Sequence, residues 1–234
     1  MALYGTIING VLIIIGSLFG LLFTKIPERY KETVMQGIGL AVMIIGVQMA
    51  LSTELIIIVL LSLLTGAILG ELLNLEVRLN SLGTWIGSKF TTKSSDFSVS
   101  QGFVTASLIF VIGAMSVIGA LDSGIRGDHE VLITKGILDG FVALVLTTTL
   151  GFGVILSVIP VVLYQGSIAL LATQIEQILP ESFLNGMITE LTAVGGVLIL
   201  AIGFNLLKIT SIRIGNLLPA IITVAFIYYI YQLF

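Results

Sequence analysis

The stretch KGILDGFVALVLTTTLGFGVIL, residues 135–156, places a single acid, Asp139, at the head of a long apolar run. No charged residue follows from Gly140 through Ile175, a run of 36 residues. One straight helix of that length would measure roughly 54 Å, whereas a single crossing of the hydrocarbon core needs about 20 residues. The stretch therefore predicts transmembrane helices, with Pro160 at the bend between two crossings, or between a crossing and a re-entrant segment.

The composition of the whole chain supports a membrane protein. Of its 234 residues 57% are hydrophobic and only 10% are charged, and its mean hydropathy is +1.17. A soluble domain carries far more charge on its surface, and the apolar runs are too long for the alternating strands of an outer-membrane barrel. The net charge of -3 comes without a basic block, which argues against nucleic-acid binding. The absence of cysteine excludes disulfides and thiolate metal sites.

Charged residues divide the chain into apolar segments of helical length. The first segment lacks the basic region of a signal peptide, so we interpret it as a retained span. If residues 140–175 cross twice, there are eight crossings, and the positive-inside rule is then well obeyed because eight of the ten lysines and arginines share one side. Seven crossings give a weaker asymmetry. We expect an all-α polytopic bundle of seven or eight spans, drawn from segments 1–24, 33–53, 55–70, 97–121, 140–175, 191–207 and 214–234.

We expect a single membrane domain, residues 1–234, with an internal repeat. GLAVMIIGVQ (39–48) resembles GVLILAIGFN (196–205) at a shift of 157 residues, and IINGVL (7–12) resembles ILDGFV (137–142). The repeat halves would be 1–76 and 131–234. The eight-crossing arrangement makes the first pair of helices antiparallel and the second pair parallel, so one symmetry operation does not relate both. The polar residues 77–101 are interpreted as a cytoplasmic loop or an amphipathic helix at the membrane surface.

Two carboxylates within apolar segments are the leading candidates for ion binding. An ionisable group inside a span is costly and usually faces the bundle interior, a partner or an aqueous cavity. Asp139 is one, and its alternative role is an ion pair with Lys135, four residues earlier on the same helix face. Glu190 is the other, and its alternative is a simple interfacial position.

Uncharged amides and a glycine-rich stretch complete the set of candidates. Amides in hydrocarbon need hydrogen-bond partners, so they either join helices together or line a path. The stretch GAMSVIGALDSGIRGDHE, residues 113–130, is either a broken helix end at a substrate site or a plain helix exit and turn. The candidate binding residues are Asn9, Gln48, Asn205, Gln165 and Asp122.

Four stretches resemble a known family in the same order: GAMSVIGALDSGIRGD, KGILDGFVALVLTTTLGFGV, IPVVLYQG and ELTAVGGVLILAIGFNLL. Together they are similar to the YqgA/YdfK-like bacterial membrane proteins, a family of unknown function often labelled as transport proteins. The resemblance spans nearly the whole chain. It implies the bacterial inner membrane and a multi-helix fold, but no substrate and no catalytic residue.

The sequence favours a small secondary transporter or channel for an ion or small solute. The alternative is a membrane scaffold that binds a protein or lipid partner without transporting anything. No nucleophile, metal or phosphate-loop pattern is present, so we expect neither an enzyme nor a cofactor. The expected partners are the lipid bilayer and a small solute or ion, with glycine pairs that permit a homo-oligomer.

Overall fold

The computed structural model describes residues 1–23, 28–81, 99–112 and 114–233, and every regular element in that part of the chain is helical. The helices are α1 Tyr4–Leu22, α2 Glu28–Ala50, α3 Ile56–Leu73, α4 Val99–Val111, α5 Ala114–Ile125, α6 Glu130–Leu150, α7 Val158–Ile178, α8 Glu181–Leu206 and α9 Ala220–Tyr231. Two 3-10 segments, Gly151–Ser157 and Ile214–Leu217, precede α7 and α9. The all-α membrane fold is thus confirmed at the level of its class.

Contacts divide the chain into two compact units. Unit 1 comprises Met1–Val34 and Asn80–Pro180, and unit 2 comprises Met35–Leu79 and Glu181–Phe234. The polar segment 77–101 lies mostly outside the described residues. Its first part, residues 77–81, is helical, and its last three residues open α4. The choice between loop and amphipathic helix therefore stays a prediction for the rest of that segment.

In unit 1, glycine contacts fix the directions of three helices. On α1, Gly5 lies against Leu132 and Gly20 against Leu144 of α6, so the residue numbers rise together and the two helices are parallel. Along α7 the order reverses, because Gly10 faces Val162 while Gly166 faces Leu3. Helices α6 and α7 therefore run in opposite directions, and the chain turns back within residues 151–157.

The sequence placed that turn at the wrong residue. The break begins at Gly151, whose φ of +69° lies in the region that favours glycine, and continues through the 3-10 segment. Pro160 is instead the third residue of α7. A proline there disrupts nothing, because the N–H groups of the first helical turn have no partner within the helix.

A second break divides the predicted span 97–121. Helix α4 ends at Val111, and α5 follows after a bend of 59°. The Ser116 hydroxyl donates a hydrogen bond to the carbonyl oxygen of Phe110 at 3.1 Å, which satisfies a carbonyl group beside the bend. Gly113, which heads the glycine-rich stretch, lies outside the described residues.

Unit 2 packs two pairs of antiparallel helices through glycines. Gly39 and Gly46 of α2 lie against Gly203 and Gly196 of α8, respectively, so their numbers run in opposite directions. Likewise Gly66 and Gly70 of α3 lie against Ala220 and Asn216. The core of this unit consists of Ile58, Val59, Ala193, Val194, Ala220, Val224 and Tyr228.

Length and composition alone give fewer spans than the sequence predicted. Within the described residues five helical segments are long and apolar enough to cross a membrane, or six if α4 and α5 form one span. The difference has two physical reasons. The apolar part of α2 is only Gln36–Ala50, and Glu130–Ile175 counts as one segment of 46 residues although its two arms run in opposite directions.

Candidate functional site

A buried polar cluster lies where α1, α6 and α7 meet in unit 1. It consists of Asn9 on α1, Lys135 and Asp139 on α6, and Gln165 on α7. Asn9 and Gln165 are fully buried, and Lys135 and Asp139 are 6% and 7% exposed. The structure thus brings together three residues that the sequence singled out, Asn9, Asp139 and Gln165, with the lysine it proposed as a partner. We call these four residues the unit-1 cluster.

Small residues allow the helices to approach closely at this cluster. Gly136, one residue after Lys135, lies against the backbone of Asn9, and Gly140, one residue after Asp139, lies against the carbonyl of Leu12. A side chain at Gly136 would overlap α1 and push the two helices apart. The glycines therefore set the distance at which the polar side chains of the three helices meet.

Lys135 and Asp139 form an ion pair inside this bundle. The Lys135 Nζ atom lies 2.5 Å from Asp139 Oδ2, and the two side chains are 7% and 10% exposed. Asp139 is the tenth of the 21 residues of α6. At about 1.5 Å per residue it lies roughly 14 Å along that helix, close to its middle. The predicted pairing is therefore present with little of either side chain exposed, and the interfacial position of the pair stays a prediction.

The two amides of the cluster use only part of their hydrogen-bonding capacity. Asn9 Nδ2 donates to Gln165 Oε1 at 3.2 Å, and the Asn9 amide also lies beside the Asp139 carboxylate. Three buried atoms nearby have no partner in the described part of the chain: Asn9 Oδ1, Gln165 Nε2 and the hydroxyl oxygen of Thr6. Thr6 lies one helical turn before Asn9 and faces Gly166, which follows Gln165.

Unpartnered polar atoms at this depth require a physical explanation. A buried polar group without a hydrogen bond costs about 1–3 kcal/mol, and such groups in native proteins mark a bound water, an ion or a functional role. Here Asn9 lies beside the ion pair, Gln165 is hydrogen-bonded to Asn9, and Thr6 lies one turn away on α1, so unmet polar atoms, a cation and an anion occur within a few side chains. This combination suits a small ion or polar solute.

Glu190 occupies a separate polar site in unit 2. It lies on α8 and is 3% exposed. The Thr53 hydroxyl oxygen, in the loop between α2 and α3, lies 2.6 Å from Glu190 Oε1 and 2.8 Å from Oε2. Sequence inspection missed Thr53, because nothing in its local pattern connects it with a carboxylate 137 residues later.

The other predicted amides behave differently from the cluster. Asn205 Oδ1 accepts hydrogen bonds from the Thr210 hydroxyl and the Ile212 N–H, both at 2.9 Å, and its Nδ2 donates to the Ile212 carbonyl at 2.8 Å. Asn205 thus holds the loop after α8 in place. Gln48, its counterpart in the predicted repeat, is exposed on α2. Their role along a path stays a prediction.

Asp122 lies at the end of α5 and pairs with Arg126 at 3.6 Å, with side-chain exposures of 26% and 74%. This geometry is typical of a solvent-facing pair four residues apart on one helix. Nearby, the Ser123 hydroxyl lies 2.7 Å from His129 Nδ1 and donates to the Ala2 carbonyl, which ties the start of α1 to this turn. The end of the glycine-rich stretch is therefore a helix exit and a turn.

A second polar network in unit 2 was not predicted. At the end of α3, Glu71 accepts hydrogen bonds from the Arg213 guanidinium at 2.7 Å and from the Asn216 side chain. Asn216 Oδ1 accepts the N–H of Glu76 at 2.7 Å, and Glu76 in turn accepts the N–H of Gly215. The network fastens the 3-10 turn before α9 to α3. Across the described residues no group of three His, Cys, Asp or Glu could hold a metal ion.

Comparison with known proteins places the chain in a family. Residues 4–229 match the family described as "Protein of unknown function (DUF554)". The chain belongs to this family. It is 36% identical over 225 residues to the uncharacterized membrane protein YdfK of Bacillus subtilis (strain 168), covering 94% of this chain and 93% of YdfK. The resemblance to YqgA/YdfK-like proteins drawn from the sequence is confirmed.

A second relative supports the same assignment. This DUF554 protein is 30% identical over 222 residues to the uncharacterized protein YqgA of Escherichia coli (strain K12), covering 93% of each chain. No solved structure matches the fold. The family thus supports a membrane protein without supplying a substrate, and any function has to be argued from the geometry.

Proposed function

We propose that this protein is a small secondary transporter or channel of the bacterial inner membrane, and that the unit-1 cluster is its binding site for an ion or small polar solute. The observation that carries the proposal is the buried Lys135–Asp139 pair beside Asn9, whose Oδ1 is unpartnered and whose hydrogen-bond partner Gln165 has an unpartnered Nε2. In a bundle that needed only helix contacts, three unmade hydrogen bonds would destabilise the fold without serving a function.

The ion pair supplies a way to bind and release a charged ligand. Burying two opposite charges together costs far less than burying either charge alone. A cation or proton that reaches Asp139 would compete with the Lys135 ammonium for the carboxylate, and an anion would compete with Asp139 for the ammonium. Either ligand leaves the displaced group, Lys135 or Asp139, without its partner, and the cost of that buried charge favours release of the ligand.

The arrangement of the helices supports eight crossings. Because α6 and α7 run in opposite directions and have 21 residues each, we count them as two crossings of about 31 Å. Together with α1, α3, α8 and α9, the bent α4–α5 pair and the short α2 bring the number of crossings to eight. The inner-membrane location and the positive-inside orientation remain parts of this proposal.

The internal repeat is proposed on the geometry of unit 2. Gly39 contacts Gly203, and Gly46 contacts Gly196. At a shift of 157 residues Gly39 corresponds to Gly196 and Gly46 to Gly203, so the contacts are exchanged as a two-fold axis requires. The same shift carries Ile56–Leu73 onto 213–230, which nearly coincides with the candidate span Ile214–Tyr231. Inverted repeats of this kind are common in secondary transporters.

Cysteine accessibility tests the binding-site proposal, because the native chain has no cysteine. We expect a cysteine in place of Asn9 to react with a small water-soluble thiol reagent in membranes. A cysteine in place of Ile13, which is fully buried one turn further along α1, is the matched control and should stay unlabelled. Equal protection of both positions would favour the alternative, a scaffold whose amides only join helices.

A further inference from the structure

Glu190 is a buried carboxyl group in unit 2. It is the tenth residue of α8 and lies next to the apolar core of unit 2, which includes Ala193 and Val194. Among the described residues, no lysine, arginine or histidine lies within ion-pairing distance of it. Lys208, the next cation along the chain, follows 18 residues later, which is roughly 27 Å along a helix.

The surroundings of Glu190 contain few other titratable groups. From α9, Tyr228 places its hydroxyl beside Gly186, one turn before Glu190, where it accepts a hydrogen bond from Gln232 Nε2 at 2.9 Å. From the α2–α3 loop, Glu54 follows Thr53 in sequence and is exposed. Neither group provides a positive charge that would stabilise a buried carboxylate.

The hydrogen bonds of Thr53 allow the protons at this site to be counted. Its hydroxyl oxygen accepts the N–H of Leu55 at 2.7 Å, which occupies one of its two lone pairs. The same oxygen lies 2.6 Å and 2.8 Å from the two oxygens of Glu190. The hydroxyl has only one hydrogen, which it can donate to one of those two oxygens.

A proton on Glu190 satisfies the second short contact best. If the carboxyl group were ionised, both of its oxygens would have to share the single Thr53 hydrogen in a bifurcated hydrogen bond, which is weaker than two separate bonds. If it is protonated, its O–H donates to the remaining lone pair of Thr53, while the Thr53 hydroxyl donates to the other carboxyl oxygen. All three contacts of the Thr53 oxygen are then satisfied.

We infer that Glu190 is a proton-binding site that holds a neutral carboxylic acid in a cyclic hydrogen-bonded pair with Thr53. A metal cation fits this site less well, because hard cations take about six oxygen ligands, and within the described residues the side-chain hydrogen bonds of Glu190 lead only to Thr53. The proton lies between Glu190 and the hydroxyl group of Thr53, which belongs to the α2–α3 loop. That the proton couples to transport rests on the proposed function, whereas the protonated state itself does not.

Infrared spectroscopy of the purified protein in lipid tests this inference directly. At neutral pH, where an ordinary glutamate is ionised, we expect a carbonyl stretch of a protonated carboxylic acid. The band should shift when all glutamates carry carbon-13 at the side-chain carboxyl, and should not shift when the aspartates carry it. This comparison separates Glu190 from Asp139 without any substitution.

Variants then assign the band within the glutamates. Glu190→Gln should remove it, and Thr53→Val should move it to higher frequency by deleting the hydrogen bond to the carbonyl oxygen, whereas Thr53→Ser should leave it in place. Glu181→Gln, at the exposed start of the same helix, is the matched control and should change nothing.

Two results would overturn the inference. One is the absence of a protonated carboxyl band from the wild-type protein at neutral pH. The other is a glutamate band that stays unchanged in both folded Glu190→Gln and Thr53→Val proteins. If Glu190→Gln fails to fold, Thr53→Val decides alone. None of these readouts requires a transported ligand, so failure of the unit-1 cluster to bind anything would leave the band in place.

Discussion

Lys135 and Asp139 lie one helical turn apart on α6 and meet at 2.5 Å inside the bundle, with no more than a tenth of either side chain exposed. The helix dipole favours the opposite order, with the acid nearer the N-terminus. The pair is therefore stabilised by its partner and its surroundings rather than by the helix itself. The free energy of unfolding that is lost when one partner is replaced distinguishes a buried pair from a surface pair.

Removing one member of this pair should be much more costly than removing both. We expect Asp139→Asn or Lys135→Met alone to lower the free energy of unfolding by about 3–5 kcal/mol, because each leaves one uncompensated buried group. The double variant Lys135→Met/Asp139→Leu should recover most of that loss. Unfolding in mixed detergent micelles, followed by circular dichroism, measures all three.

Asp122 and Arg126 provide the matched control, since they share the same spacing but are partly exposed. Asp122→Asn should cost less than about 1 kcal/mol. Equal losses at Asp122 and Asp139 would mean that the α6 pair is reached by water and is not buried as described.

The close packing of α1 on α6 should depend on Gly16. A Cβ atom at this position would overlap the carbonyl oxygen of Gly140, so we expect Gly16→Ala to destabilise the protein by about 1–3 kcal/mol. Gly37, within α2, has open space around its Cα atom. Gly37→Ala should instead stabilise the protein by about 0.5–1 kcal/mol through helix propensity. Thermal unfolding of the two variants distinguishes packing from propensity, and a Gly16→Ala protein as stable as Gly37→Ala would refute the described contact.

Asn205 should stabilise the loop after α8. Asn205→Ala removes three exposed hydrogen bonds that water can replace only in part, so we expect a loss of about 0.5–1.5 kcal/mol. Gln48→Ala, at the corresponding exposed position, should change stability by less than about 0.5 kcal/mol. Proteolysis of the loop before and after each substitution reports the local effect. An Asn205→Ala protein that keeps its loop protected would favour the path-lining role instead.

The sequence predicted the membrane class, the position of most helices and the two buried carboxylates, because long apolar runs and rare charges are direct consequences of the lipid environment. It could not place the turn between α6 and α7. Pro160 is the stronger local signal, but a proline in the first turn of a helix is harmless, whereas the φ of Gly151 becomes visible only in three dimensions.

The partners of the predicted site residues were the hardest to foresee. Asn9 and Gln165 are 156 residues apart, and Thr53 and Glu190 are 137 apart, so helix packing alone brings them together. The pairing of Lys135 with Asp139 was accessible, since four residues on a helix is a local relationship. Thr6 carried a weak signal, as a hydroxyl one turn before Asn9 on the same helix face.

The most direct test of the account is thermal unfolding of the purified protein across a panel of Na⁺, K⁺, protons and small solutes. A ligand that binds only the folded state raises the apparent stability by about 2.7 kcal/mol at a hundredfold excess over its Kd. We predict that one ion or solute stabilises the wild-type protein and has no effect on Lys135→Met/Asp139→Leu, which we expect to keep its fold. Equal stabilisation of both proteins, or none of the wild type by any member of the panel, would contradict a binding site at the unit-1 cluster.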